Sequence, residues 1–413
     1  MTPQDTLFQF LNARQEDLLA FARDLVRTPS PNPPGDERAV AARVAEELQR
    51  LGLPAAAIIA KQPHRPNMLL RLSGSKPGPS LLLNGHLDTK PPGALSEWGA
   101  DPFDPLVRAG KLHGLGSTDM KGAVAAMVYA VGALARVAHS FGGEVQLLLT
   151  ADEEAGSAFG AKFIAASGRL RADAALIGEP VGIRRELEFM DFDSRGLACF
   201  RIQVHGDPMH SSLSDEFHAV NASVKAAGLL AALDREFKMP GATLNAGVTL
   251  QGGVYFGVVP GRAEFGCDLR VPVGTSEKDV RDALEKWLVA HKQSDPQLRA
   301  ELIWESPPSI WIEPVHFPAR HPLAVSLRDA CAAVLGKAPP AGCFPAATDA
   351  PWFVAAGIPT IPAFGPGMLP LAHSPNERVE VSSIFVCARI YALAAWDYLQ
   401  SGAQSDPVSL NLA

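Results

Sequence analysis

The sequence predicts an α/β fold in which a largely parallel-sheet domain is interrupted by an inserted, ferredoxin-like α+β domain. Three observations carry the prediction. Apolar strand-like runs alternate with helical stretches up to about residue 180, the mark of a parallel sheet. The character then changes to a β/α/β/β/α/β series between Leu197 and Trp304. The α/β style resumes after Pro307 and Pro308. A chain of 413 residues, 47% of them hydrophobic, also exceeds what one core usually holds. The expected division is residues 1–187 with 307–413 for the larger domain and 188–306 for the insert.

Each element has its own signal. Leu7, Phe10, Leu11, Leu18, Phe21 and Leu25 follow helical spacing, and the proline-rich loop from Pro29 to Gly35 then forbids helix. A second helix is expected over about Asp36 to Leu51. Runs at Asn67 to Leu72 and Ser80 to Leu83 read as strands, Gly122 to Ala138 as an apolar helix, and Glu144 to Thr150 and Asp173 to Ile177 as further strands. In the insert the expected order is strand Leu197 to Val204, helix His218 to Phe237, strands Thr243 to Gln251 and Arg262 to Val271, helix Lys278 to His291 and strand Leu298 to Trp304. Helix Pro322 to Leu335, strand Ile358 to Phe364 and helix Ser382 to Leu399 follow.

Charge and composition exclude several functions. Lys and Arg number 37 against 44 Asp and Glu, and no basic stretch offers a phosphate footprint, so nucleic acid is not an expected partner. No apolar run approaches the ~20 residues of a membrane helix, and the N-terminus lacks a cationic start before an apolar core. A soluble cytoplasmic protein is expected. Five widely spaced cysteines without a Cys-x-x-Cys pair read as reduced thiols, mostly buried. Asn221-Ala-Ser, formally a glycosylation sequon, falls in a helical pattern and is given no weight.

The informative residues are His86, Asp88, Asp119, Glu153, Glu154, Glu179 and His373, which are expected where strands end and loops begin. In an α/β sheet that edge is where ligands gather. Residues two apart in a strand face the same way, so His86 and Asp88 can lie side by side, one binding metal while the other orients its ring. Asp119, in a glycine-rich turn, is placed to bridge two cations. Adjacent Glu153 and Glu154 diverge, so one is expected to ligate metal and the other to handle a water's proton. Each piece alone has a plainer explanation: a hydrogen-bonded His-x-Asp pair, a solvated Glu-Glu, a turn-capping Glu179, a loop His373. Their conjunction is what points to a two-metal hydrolase.

The motifs Gly85-His-Leu-Asp-Thr, Ser117-Thr-Asp-Met-Lys-Gly, Asp152-Glu-Glu-Ala-Gly-Ser, Gly178-Glu-Pro, Gly365-Pro-Gly and Ala372-His-Ser-Pro-Asn-Glu, in this order, resemble the M20 family of metallopeptidases and amidohydrolases over nearly the whole chain. The resemblance implies a di-metal peptidase domain with an inserted dimerisation (lid) domain. It implies His86 and Glu179 on one metal, Glu154 and His373 on the other, and Asp119 between them. Asp88 would support His86, and Glu153 would be the general base. His210 would reach the active site of the partner subunit in a homodimer and steady the oxyanion. Arg270, Asn245, Gly365 and Gly367 form the expected substrate-binding set. The metals are expected to be two divalent ions of zinc type, with cobalt or manganese also compatible.

Departures concentrate on the substrate side. Gly257 stands where the family commonly has asparagine, Ala346-Ala347 replaces a Gly-Gly pair, Leu115 replaces a frequent arginine, and Glu186 to Asp193 is longer and more apolar than usual. The expected activity is cleavage of the amide of a small N-acyl amino acid or related molecule. The alternatives are a carboxypeptidase or dipeptidase, a hydrolase of a non-peptide C–N bond such as an aryl amine, and, last, a non-catalytic binding protein.

Overall fold

The computed structural model describes residues 2–305 and 311–401. Two compact units emerge, Met1–Asp193 with His316–Phe344 and Thr348–Ala413, and Ser194–Val315 with Pro345–Ala347. The boundary expected at 306/307, with Pro307 and Pro308, lies outside the described residues. Residues 188–193, expected in the insert, group with the first unit.

The first unit is built on a six-stranded mixed sheet in the order Ala57–Ala60, Pro66–Ser73, Gly142–Thr150, Lys76–His86, Ala174–Ile177, Thr360–Ile361. The last four strands run parallel, and Pro66–Ser73 and Ala57–Ala60 are antiparallel additions at one edge. Burial on both faces explains why Leu81, Leu82, Leu83 and Leu147, Leu148, Leu149 read as continuous apolar runs. The helix Gly122–Arg136 is buried all round over residues 122–134, as its unbroken apolar composition requires. Together with Val381–Gln400 it packs on the strands Lys76–His86 and Gly142–Thr150. The single periodic stretch expected from Leu7 to Val26 is two helices, Pro3–Asn12 and Gln15–Arg27, the first opened by a capping box between Thr2 and Asp5.

The second unit is the expected series. Its antiparallel sheet runs Thr243–Gly252, Arg262–Val271, Gly196–His205, Arg299–Trp304, with helices Ala222–Glu236 and Glu277–Ser294. Alternate residues such as Phe200, Ile202, Val204, Phe265 and Leu269 meet Leu229, Leu233, Val280 and Leu284 in one core. The first helix starts at Ala222, not His218, because the Asn221 side chain accepts the N–H groups of Ser223 and Val224 and so caps it. Asn221 therefore ends a loop instead of lying within a helix. Among the described residues no helix is long and apolar enough to cross a membrane.

Candidate metal centre

Parallel register brings the first donors together. His86 ends its strand opposite Thr150, and Asn84 pairs with Ile177, so the three neighbouring strands finish on one edge and release His86, Glu153 with Glu154, and Glu179 there. Glycines let the buried helix approach this edge. A Cβ on Gly178 would meet the Met120 and Met127 methyls at 2.8 Å, and one on Gly85 would meet Met120 and Val124 at 3.0 Å.

Asp119 and His373 arrive differently from expectation. Neither follows a strand of the central sheet. Asp119 sits in the tight segment Ser117–Lys121 that leads into the buried helix, and His373 lies just beyond the short turn Leu369–Leu371 at φ 55°. Position in the sheet could not have found them, whereas their sequence motifs did.

The side chains converge in two groups, His86, Asp119 and Glu179, and Asp119, Glu154 and His373, with the donor atoms of each group within 4.8 Å of one another. Asp119 belongs to both. Its Oδ1 lies 3.0 Å from His86 Nε2, its Oδ2 lies 3.1 Å from His373 Nε2, and the same His373 nitrogen is 3.0 Å from Glu154 Oε1. His86 Nε2 is 3.9 Å from Glu179. His86 Nδ1 is 2.9 Å from the main-chain carbonyl of Asp88, so Nδ1 carries a proton, and Nε2, turned to Asp119, is the nitrogen that would be free to bind a cation in place of its own proton.

Asp88 reaches His86 mainly through that carbonyl. Its carboxylate is 3.7 Å from Nδ1 and instead accepts the N–H groups of Glu153 and Glu154, each at 3.1 Å, and the Asn32 amide at 2.8 Å. Glu153 belongs to neither donor group. Its carboxyl is pushed well above the ordinary carboxylate range by burial first, with Glu179, Asp349 and Glu154 adding repulsion and His86 opposing. Burial followed by Asp119 raises Glu179 as well. Against burial, which acts upward, the imidazoles of His373 and His86 hold Asp119 well below its usual value. Burial acts downward on His373, yet Asp119 and Glu154 carry it to about 10.

Asp88, Asp119, Glu153, Glu154 and Glu179 thus crowd one edge, a negative excess of the kind divalent cations neutralise. Imidazole nitrogen with carboxylate oxygen is a donor set for zinc, cobalt or manganese, and the residues present fit a pair of such ions. Lys90 brings an ammonium to this edge, with Nζ 3.2 Å from Glu154 Oε2 and its main-chain N–H donating to Oε1 at 3.2 Å.

Several side chains shape the site without a motif of their own in the sequence. The buried Glu377 carboxylate accepts the N–H groups of Gly116, Thr118 and Asp119 and so shapes the Asp119 turn. Burial, helped by Asp119, pushes Glu377 up to about 8 while those donors oppose. Asp349 accepts from Ser157 and Thr150, and burial raises it to about 6. Only the neighbouring motif letters, His373-Ser-Pro-Asn-Glu and Thr348-Asp349, could have signalled them.

Of the expected substrate set, Gly365 and Gly367 lie in the strand Gly365–Met368, which pairs with Pro180–Gly182 directly after Glu179. A Cβ on Gly365 would sit 2.0 Å from the Gly178 carbonyl oxygen, so only glycine allows that approach. Arg270 and Asn245 are in the second unit, where both turn to Asp268, at 3.8 and 3.1 Å. His210 is exposed there and its ring caps the short turn Ser211–Leu213, with Nδ1 2.8 Å from Ser212 Oγ. Gly257 has φ 83°, left-handed backbone that glycine adopts without strain.

Known proteins share this sequence pattern and this fold. Over 382 residues, 91% of this chain and 96% of the relative's, the sequence is 28% identical to a succinyl-diaminopimelate desuccinylase of Bordetella petrii. A match to the same enzyme of Leptothrix cholodnii is 35% identical over 202 residues, 46% of this chain and 51% of the relative's. The chain spans about half the length of several such curated relatives that it matches. An M20 family metallo-carboxypeptidase of Sulfolobus solfataricus superposes with a TM-score of 0.75 at 18% identity, covering 92% of this chain and 99% of that one. A di-peptidase of Saccharomyces cerevisiae also gives 0.75, at 15% identity, covering 98% and 100%. At these identities the structural likeness is one of fold. The sequence profile of peptidase family M20/M25/M40 matches residues 82–397, and the chain belongs to that family.

Proposed function

We propose that this protein is a two-metal amidohydrolase that cleaves the amide bond of a small N-acyl amino acid or related molecule. The observation that carries the reading is the shared Asp119 carboxylate, one oxygen turned to each donor group, with Glu153 outside both groups yet within electrostatic reach of His86, Glu179 and Glu154. His86, Asp119 and Glu179 would hold one ion and Asp119, Glu154 and His373 the other. When bound, the pair supplies Lewis acidity toward a carbonyl and lowers the pKa of a water. Zinc is the proposed metal.

The chain's own residues supply the rest. Glu153, with a carboxyl raised by burial, is poised to accept the proton of the attacking water and hand it to the departing nitrogen. Asp88 fixes the turn that carries Glu153 and Glu154 through their N–H groups. The curated relatives that share 28–35% identity are desuccinylases, which supports an acyl–nitrogen bond as the target. The substrate-side departures support a different acyl group or amine.

The proposal includes a cytoplasmic homodimer in which His210 steadies the oxyanion in the partner subunit's site. The exposed edge strand Thr243–Gly252 and the neighbouring Val254, Tyr255 and Phe256, exposed by 87, 80 and 93%, support an interface on the second unit. Buried thiols at Cys267, Cys331 and Cys387 suit a reducing compartment. The deciding experiment is a panel of N-acyl amino acids assayed beside dipeptides and aryl amines after zinc reconstitution. Release of a free amino acid from N-acyl substrates supports the reading; turnover restricted to dipeptides or aryl amines would overturn it.

A further inference from the structure

Behind the donor edge lies a buried ionic cluster that plays no direct part in the chemistry above. Arg65, 3% exposed, precedes the strand Pro66–Ser73. Its guanidinium donates to Asp152 Oδ1 at 2.6 Å through Nη2 and to the Asn32 amide oxygen at 3.4 Å through Nη1, and its Nε lies 3.0 Å from Glu37 Oε2. Asn32 in turn donates to both carboxylates it touches, Asp88 at 2.8 Å and Asp152 at 3.1 Å. Asn32, Glu37, Asp88 and Asp152 are all 3% exposed or less.

What this cluster holds is a turn in an uncommon conformation. Asp152 has φ 67°, left-handed backbone that aspartate tolerates better than most side chains but that still costs energy and is held here by its surroundings. Its carboxylate is fixed on both oxygens, Oδ1 by Arg65 and Asn32 and Oδ2 by the N–H of Phe159 at 3.0 Å. The next two residues are Glu153 and Glu154, whose N–H groups end on Asp88, the other carboxylate gripped by Asn32. Burying an arginine between two acids is weak support for folding stability, since well-packed apolar groups generally serve as well. A clamp that sets the direction of two adjacent side chains gives the arrangement a purpose.

The geometry points to Arg65 as a positioning residue that, through Asp152 and the Asn32–Asp88 contact, aims Glu154 at its donor group and Glu153 at the reacting water. The assignment of what those two glutamates do rests on the proposed function; the clamp itself does not. Without the guanidinium, Asp152 loses its strongest partner and the turn relaxes from the left-handed conformation. Glu153 and Glu154 then sample several directions, while the strands beneath stay in place.

Two variants test this. Arg65→Lys keeps the charge without the fork, and Arg65→Met with Glu37→Gln removes the cation together with one of its two acidic neighbours, so that a fold survives if the single change is not tolerated. Hydrogen exchange should accelerate at least about tenfold across residues 152–157 in the double variant, less in Arg65→Lys, and stay unchanged across 174–177. Zinc affinity of the weaker site and kcat should each fall roughly 10–100-fold, the range for groups that orient metal ligands, with KM within about threefold. Unchanged exchange across 152–157 in the folded double variant would overturn the clamp. A wild-type protein that neither binds zinc nor turns over amides would sink the functional reading, and the exchange data would still decide the role of Arg65.

Discussion

Asp119 and His373 meet at 3.1 Å between Oδ2 and Nε2, while the other Asp119 oxygen faces His86 at 3.0 Å, so one carboxylate couples two otherwise separate donor groups. Replacing it with asparagine removes the negative charge from both groups at once. Asp119→Asn should lower zinc stoichiometry from about two per chain to one or less and reduce turnover by orders of magnitude. Elemental analysis after dialysis against buffered zinc measures this; two ions retained would disprove the bridge.

Glu153 stands apart from both groups, which separates metal binding from proton transfer. Glu153→Ala should keep the full metal complement and lose about 10²- to 10⁴-fold in kcat, the usual span for a general acid–base group. Retained turnover would remove Glu153 from the proton path.

Lys90 competes for Glu154. An ammonium 3.2 Å from the Glu154 carboxylate repels any cation that approaches the same oxygen. Lys90→Met should tighten the Asp119–Glu154–His373 site by about tenfold or more, read from a two-step isothermal titration with zinc. An unchanged second step would show that Lys90 swings clear when the ion binds.

Glu37 gives a pH signature. Burial raises it to about 8, with Asp88 adding repulsion and Arg65 opposing, so its folded value lies above the ordinary 4.5. Between those values the folded state holds more protons than the unfolded state, and stability from this group is present at low pH and lost as pH rises through about 8. Glu37→Gln should therefore gain relative to wild type from pH 5 to 8, on the order of a few kcal/mol, in parallel chemical denaturation series. A constant difference across that range would place the Glu37 titration elsewhere.

The sequence made the edge of the sheet legible because leucine runs ending in His86, Glu154 and Glu179 are what a doubly covered parallel strand looks like when it delivers a ligand. Asp119 and His373 were legible by motif alone, since they enter from a pre-helical turn and a loop that no periodicity marks. Asn32 and Arg65 were silent for another reason. The proline-rich loop reads only as a helix breaker, and Arg65, ahead of the expected Asn67 to Leu72 strand, carries no signal of its own. Their meaning lies in contacts 33 to 120 residues away along the chain. The helix begins at Ala222 and not at His218 for a local reason, since a capping asparagine resembles any polar helix residue when its hydrogen bonds are unseen.

His373 has a consequence of its own. Every other side chain of the two donor groups is packed into the protein, but this imidazole is 44% exposed and hangs from a single left-handed residue in a loop. On the proposed two-metal reading the two donor groups would present unequal gates, His86, Asp119 and Glu179 being buried and the other group closed by a latch that solvent can reach. Loss and reloading would then proceed from the latch side, and a half-loaded form with only the buried group filled would be the expected intermediate of metal depletion.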